Sequence, residues 1–142
     1  MNLSTSSTSP PLKRVAAGAV VRDQKLLIAR RKPGESLEGM WELPGGKFEP
    51  GETAEQCLMR ELAEELGLSV EIIEPLGVHT HYYPKATIEL HVFLCSTETE
   101  PAIFECHDQV VWAELDTLRE FEWAPADLPA VNRLMARGHL RV

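Results

Sequence analysis

Four glutamates and one arginine stand close together in the run GKFEPGETAEQCLMRELAEELGL, from Gly46 to Leu68. On a helix of 3.6 residues per turn, Glu61, Glu64 and Glu65 share one stripe at i, i+3, i+4 spacing, and Glu52 precedes them by about two turns of chain. Like charges at that spacing repel by a few tenths of a kcal/mol per pair, roughly, so helix stability alone does not ask for them. Hard divalent cations do: Mg²⁺ or Mn²⁺ takes oxygen ligands octahedrally and keeps waters and substrate phosphates in its shell. The alternative is a solvated acidic face balanced by Arg60, and the stripe alone does not separate the two readings.

The elements needed to position these acids are marked in the sequence. Thr53 and Gln56 match the capping-box pattern and Gly67 suits a left-handed C-terminal cap, which predicts a helix from Ala54 to Leu66. Its Leu58, Leu62 and Leu66 line a face able to pack on a sheet, beside the acids. Before it, Val15 to Val21 and Lys25 to Arg31 read as a hairpin around RDQK, followed by a Gly/Pro-bearing loop from Lys32 to Met40 and a short strand in WELPGG. Gly45 and Gly46 permit positive φ and close approach to an anion or metal. After the helix, strands are expected at 69–78, 79–83, 87–96 and 109–114, with a turn at Pro84 and Lys85. Ala126-Asp127-Leu128-Pro129 predicts a last helix ending near Arg137.

Composition bounds the class. A chain of 142 residues with 44% hydrophobic residues suits one domain with its own core. Residues 1–12 read as a disordered Ser/Thr-rich tail and 13–142 as the folded domain. Fourteen Lys and Arg against 22 Asp and Glu give a net charge of -8, which argues against a nucleic-acid polymer as partner. Cys57, Cys95 and Cys106 show neither C-x-x-C spacing nor an even count, so a zinc ribbon or disulfide framework is not expected and a reducing cytoplasm is. VAAGAVV is too short to span a bilayer.

Gly46, Glu52 and the run Arg60-Glu61-Leu62-Ala63-Glu64-Glu65-Leu66-Gly67-Leu68 together resemble the complete signature of the Nudix hydrolases. The resemblance implies an α/β/α sandwich with a mixed sheet and hydrolysis of a nucleoside diphosphate linked to another group, by water attack on phosphorus. It implies Glu61, Glu64 and Glu65 as ligands of Mg²⁺ (or Mn²⁺), with the Gly46 carbonyl joining them. Glu52 would complete the site and Arg60 would orient the carboxylates. Metal chemistry of this kind neutralises phosphate charge, lowers the pKa of bound water and aligns in-line displacement.

Within that family, RRKPGESLEGMWELPGGK is similar to the MutT-type branch, which cleaves nucleoside triphosphates to monophosphate and pyrophosphate and includes enzymes that remove 8-oxo-dGTP. The likeness puts Lys47 at a phosphate and Arg31 near the base or a phosphate; both also read as solvated cations. APADLP at 124–129 resembles the segment that sets an Asn or Asp against the base edge, here Asp127, which equally reads as the cap of the last helix. An ionised Asp only accepts hydrogen bonds, which brings CTP-like substrates into contention beside the oxidised purine. Pro84 is similar to a feature of the ADP-ribose branch, and a non-catalytic nucleotide sensor is the rival of another class. Where relatives present a glutamate six residues before the Trp, this chain has Cys106; its neighbour Glu105 is a possible extra base, as is Asp108. His79 and His81 share a strand face and read as packing or base-contact residues rather than zinc ligands. Tyr82 and Tyr83 either contact a base or simply end an exposed strand. Trp41, Trp112 and Trp123 read as packing residues. The expected partner is a small nucleotide, and the expected state a monomer or homodimer.

Overall fold

The computed structural model describes residues 10–102 and 104–142. Most of the predicted tail, residues 1–9, lies outside them. Leu12 already belongs to β1 (Leu12–Arg22), because Leu12 to Val21 pair in parallel with Thr87 to Ser96 of β6 (Thr87–Ser96). β2 (Lys25–Arg31) returns antiparallel after Asp23 and Gln24, whose φ values of 52° and 59° form the left-handed two-residue turn that suits a hairpin.

WELPGG yields two short strands, β3 (Trp41–Glu42) on β2 and β4 (Gly45–Lys47) on β1. Then come α1 (Ala54–Leu66), β5 (Glu71–Tyr82), β7 (His107–Ala113) on β2 and α2 (Leu128–Arg137). Short 3₁₀ helices of about two turns and one turn occupy Leu115–Glu120 and Pro125–Asp127. The sheet order is β3-β2-β1-β6-β5, mixed because β1 and β6 run parallel whereas the other strand pairs described are antiparallel.

Alternation along β1 divides the core between the two faces of the sheet. Ala16 and Val20 meet Leu58, Leu62 and Leu66 of α1, with Phe93 and Cys95 beside them. Ala17, Ala19 and Val21 face Ala130, Val131 and Leu134 of α2. The result is an α/β/α sandwich. Each leucine of α1 is at most 1% exposed, a burial worth roughly 1.5–3 kcal/mol per side chain. The Thr53 hydroxyl accepts the Gln56 N–H (3.1 Å), the Gln56 side chain accepts the Thr53 N–H (3.0 Å), and Gly67 closes the helix at φ 64°. Both ends of α1 are therefore held, and its acids are fixed in angle around the helix.

The strands expected at 69–78 and 79–83 are one strand. β5 pairs with β6 from Glu71 to Tyr82, and register shifts between Ile72 and Glu74 and between Pro75 and Gly77 absorb the irregular residues. The bulges break the alternation before Gly77 without ending the pairing, and Val78 to Tyr82 then pair with His91 to Thr87 in unbroken register, so no break falls after Val78.

Candidate active site

Arg60 is the hub of the Gly-loop and α1. Its Nε donates to Glu52 Oε2 (2.5 Å), Nη2 to Glu52 Oε1 (2.9 Å) and to the Lys47 carbonyl (3.0 Å), and Nη1 to Glu61 (2.9 Å) and Glu64 (3.1 Å). The fork geometry of a guanidinium allows this sharing; a lysine would offer one point charge. Glu52 also accepts the Glu49 N–H at 2.7 Å, and these bonds, Arg60 first, hold its carboxyl down at about 2. The arginine thus ties the loop before the helix to the acids on it.

The paired glycines act by lacking a side chain. Neither Gly45 nor Gly46 takes a positive φ, contrary to the conformational role expected for them. A Cβ on Gly45 would lie 1.9 Å from the Ala16 carbonyl oxygen, and one on Gly46 would lie 2.2 Å from the Glu61 carboxylate. Gly45 lets β4 close on β1. Gly46 makes the cradle in which the Glu61 carboxylate rests.

The carboxylate stripe is divided by its neighbours. Glu61 and Glu64 turn toward Arg60, with Glu64 61% exposed at its side chain and Glu61 only 14%. Glu65 turns toward the loop before β7, where the Cys106 thiol donates to it at 3.5 Å. Burial first, then the Glu61 charge, raises the Glu65 carboxyl; burial likewise pushes the Cys106 thiol up to about 11. Glu105 is exposed and makes no side-chain contact to these acids, and Asp108 is bound at both oxygens by Arg30 (2.8 and 2.9 Å). Among the described residues of that loop, Cys106 is therefore the one that reaches the acidic stripe.

Among the described residues, no three acidic, histidine or cysteine side chains converge into a ready-made metal cage. The donor set nevertheless suits Mg²⁺. It offers carboxylate oxygens at one to two turns' spacing and the Gly46 carbonyl at the mouth of the cradle, and Mg²⁺ is usually held by one or two carboxylates plus water and substrate phosphates. The Gly46 carbonyl accepts the Cys57 thiol at 3.4 Å, which keeps it on the α1 side of β4.

A second group of polar side chains lies on β2, β3, β7 and the turn before α2. Arg31 Nη1 reaches both oxygens of Glu42 (3.2 and 3.1 Å) and Nη2 reaches Glu35 (3.3 Å), so its charge is engaged by acids. Glu42 also accepts His107 Nε2–H at 2.7 Å, and His107 is 3% exposed. Lys47 is exposed on β4. Asp127 is 6% exposed and does not cap α2: its Oδ2 accepts the Leu43 N–H at 2.8 Å, and burial followed by the Glu42 charge raises its carboxyl to about 8. Beside it the Tyr83 hydroxyl accepts the Ala126 N–H at 2.9 Å.

Two members of this group carried no role in the sequence reading, Glu42 and His107. Glu42 lies between two tryptophan- and proline-marked positions of a short strand, where a lone acid reads as solvent-facing. His107 joins it only through the bulge between Arg30 and Arg31, which sets His107 opposite Arg31.

A mixed sheet between two helices, with a glycine-cradled, arginine-organised acidic stripe on one of them, defines a class of metal-assisted phosphoanhydride hydrolases. The NUDIX domain family matches residues 12–134, and the chain belongs to that family. It is 34% identical over 122 residues to the CTP pyrophosphohydrolase of Escherichia coli, covering 86% of this chain and 90% of that protein. It is 38% identical over 117 residues to the putative 8-oxo-dGTP diphosphatase 2 of Mycobacterium tuberculosis, covering 80% and 81%. Among solved structures, the MutT NUDIX hydrolase of Burkholderia pseudomallei superposes with a TM-score of 0.77 at 30% identity, over 85% of this chain and 96% of that one. The protein is a Nudix hydrolase of the MutT-like kind. No described helix is long and apolar enough to cross a membrane.

Proposed function

We propose that this enzyme hydrolyses (deoxy)nucleoside triphosphates to monophosphate and pyrophosphate with Mg²⁺, and that its preferred substrate is 8-oxo-dGTP. The observation that carries the reading is the Arg60 hub, which joins Glu52, Glu61 and Glu64 into one organised acidic surface against the Gly46 cradle. When bound, the cation neutralises phosphate charge and lowers the pKa of a ligated water. Glu61, Glu64 and Glu65, with the Gly46 carbonyl, are the groups to hold it. Glu52 and Arg60 fix the loop relative to the helix, so the carboxylates stay oriented while substrate enters. Lys47, exposed beside the cradle, meets the phosphates; Arg31 and Asp127 lie with the base. One of the stripe carboxylates takes the proton of the attacking water.

The Asp127 carboxyl, raised to about 8, is largely neutral at pH 7 and, like an Asn, can donate to a carbonyl as well as accept, which restores the oxidised purine as a partner without rejecting cytosine. A second reading, a CTP or modified-dCTP pyrophosphohydrolase, draws support from the relative named CTP pyrophosphohydrolase, which matches over 90% of its length. Nucleoside monophosphate formation by the purified protein with Mg²⁺, as kcat/KM on 8-oxo-dGTP, dGTP, CTP, 5-methyl-dCTP and ADP-ribose, decides between them. Highest kcat/KM on 8-oxo-dGTP supports the first reading, and on either cytosine nucleotide the second. Turnover of ADP-ribose alone, or binding without turnover, overturns both.

A further inference from the structure

Asp127 owes its position to its neighbours rather than to the helix it precedes. It has helical backbone angles (φ -88°, ψ -16°) and makes no side-chain capping bond to α2. Four ties hold the short turn Pro125–Asp127. The Ala124 N–H donates to the Trp41 carbonyl (2.8 Å) and the Asp127 N–H to the Ala124 carbonyl (3.0 Å). The Leu43 N–H donates to Asp127 itself, and the Ala126 N–H donates to the Tyr83 hydroxyl (2.9 Å). Three of these involve β3, the residue after it, or the backbone of the turn and the residue before it. The fourth comes from the side chain of Tyr83, the residue just past β5.

Tyr83 is built for that contact. Tyr82, its neighbour, is 77% exposed, whereas Tyr83, the residue after β5, is half-buried. Its backbone is closed onto Ala86 by a 2.9 Å bond from its own N–H, and its ring is buttressed by His81 at a centroid distance of 4.4 Å. Because β5 pairs with β6 up to Tyr82, the hydroxyl reports the position of the sheet. It also lies within the electrostatic reach of Asp127, Glu42 and Arg31. Having accepted the Ala126 N–H, it keeps its own proton to donate.

We infer that Tyr83 is a positioning residue for base selection: by holding the Ala126 backbone it sets the carboxyl of Asp127 relative to the incoming base. The inference rests on the reading of Asp127 as the base contact. A neutral hydrogen bond is worth about two- to tenfold in an equilibrium, so its removal loosens the turn without unfolding it. Selectivity then falls because Asp127 samples positions that suit the preferred base less well.

The test is a double-mutant cycle with Tyr83→Phe and Asp127→Ala, scored as the kcat/KM ratio of 8-oxo-dGTP to CTP, with melting temperature followed in parallel. Tyr83→Phe is expected to move the ratio toward unity by roughly three- to tenfold, through KM more than kcat. In the Asp127→Ala background the same substitution is expected to leave the ratio unchanged. If Asp127→Ala shifts the ratio and Tyr83→Phe does not, Tyr83 has no part in selection although the base reading stands. If Asp127→Ala does not shift the ratio, the base reading itself fails. Equal losses on both nucleotides from Tyr83→Phe, with a lowered melting temperature, assign the hydroxyl to stability and overturn the inference. Should Tyr83→Phe not fold, His81→Ala, which removes the buttress and keeps the hydroxyl, carries the same ratio test.

Discussion

Asp127 and Leu43 stand 84 positions apart in the chain and are joined by a 2.8 Å hydrogen bond from a backbone N–H to a buried carboxyl oxygen. The bond ties the turn before α2 to the chain leaving β3, and so brings the C-terminal part of the protein to the strand next to the glycine pair. It also places an acid with Glu42 as its neighbour in a site that gives it little water.

The first prediction concerns that acid. Its carboxyl is raised from an ordinary 3.8 to about 8, so between those pH values the folded state binds a proton that the unfolded state has lost. Stability therefore falls as pH rises from about 4 to about 8, by proton linkage. Melting curves at intervals across this range are expected to show the fall in the wild type and a flatter profile in Asp127→Asn. Parallel profiles would mean that another group is responsible.

At the other side of the site the sign reverses. Arg60 holds the Glu52 carboxyl down at about 2 against an ordinary 4.5, so the stability from this pair is present above about 4.5 and lost as pH falls through about 2. Glu52→Gln is expected to be less stable than the wild type at neutral pH. The two acid-unfolding curves should converge below pH 4.5, measured by circular dichroism.

The two glycines separate packing from chemistry. A methyl on Gly45 meets the Ala16 backbone, which cannot move without parting β4 from β1, and Gly45→Ala is expected to cost about 1–3 kcal/mol. A methyl on Gly46 meets only the end of the Glu61 side chain, which can swing away. Gly46→Ala is therefore expected to fold with little loss of melting temperature and to lose most turnover, because Glu61 has left its cradle. Chemical denaturation alongside steady-state kinetics distinguishes the pair.

Removal of metal and removal of a ligand should look alike. Chelation by EDTA is expected to abolish pyrophosphate release and added Mg²⁺ to restore it. Glu64→Gln and Glu65→Gln are expected to lower kcat by roughly two or more orders of magnitude with the fold intact. In Glu65→Gln the Mg²⁺ concentration for half-maximal rate should also rise. Wild-type turnover in both variants would remove these carboxylates from the metal site.

Much of α1 was legible in advance, because a helix is a local object. The capping box, the Gly67 cap, the leucine face and the acidic stripe all follow from spacing within one segment, and the structure has each of them from Ala54 to Leu66. β5 was less legible: its bulges interrupt the alternation near Ile72 and Pro75, and the continuity across Val78 and His79 is set by pairing with the distant β6. Half of the reading of the glycines failed: neither takes a positive φ, whereas the close approach expected of them is what they provide, to the Ala16 backbone and the Glu61 carboxylate.

By itself, then, the sequence determined the family, the fold class and the order of the acids on α1, since those depend on residue types at short, fixed offsets. Only the tertiary structure decided which distant groups meet them. Cys106 rather than Glu105 reaches Glu65, His107 reaches Glu42, and Asp127 abandons the helix cap for Leu43. The physical reason is that these pairings depend on strand order and on one-residue shifts of register. The shift between Arg30 and Arg31 is one such step, and a shift of one residue turns a side chain to the opposite face of the sheet.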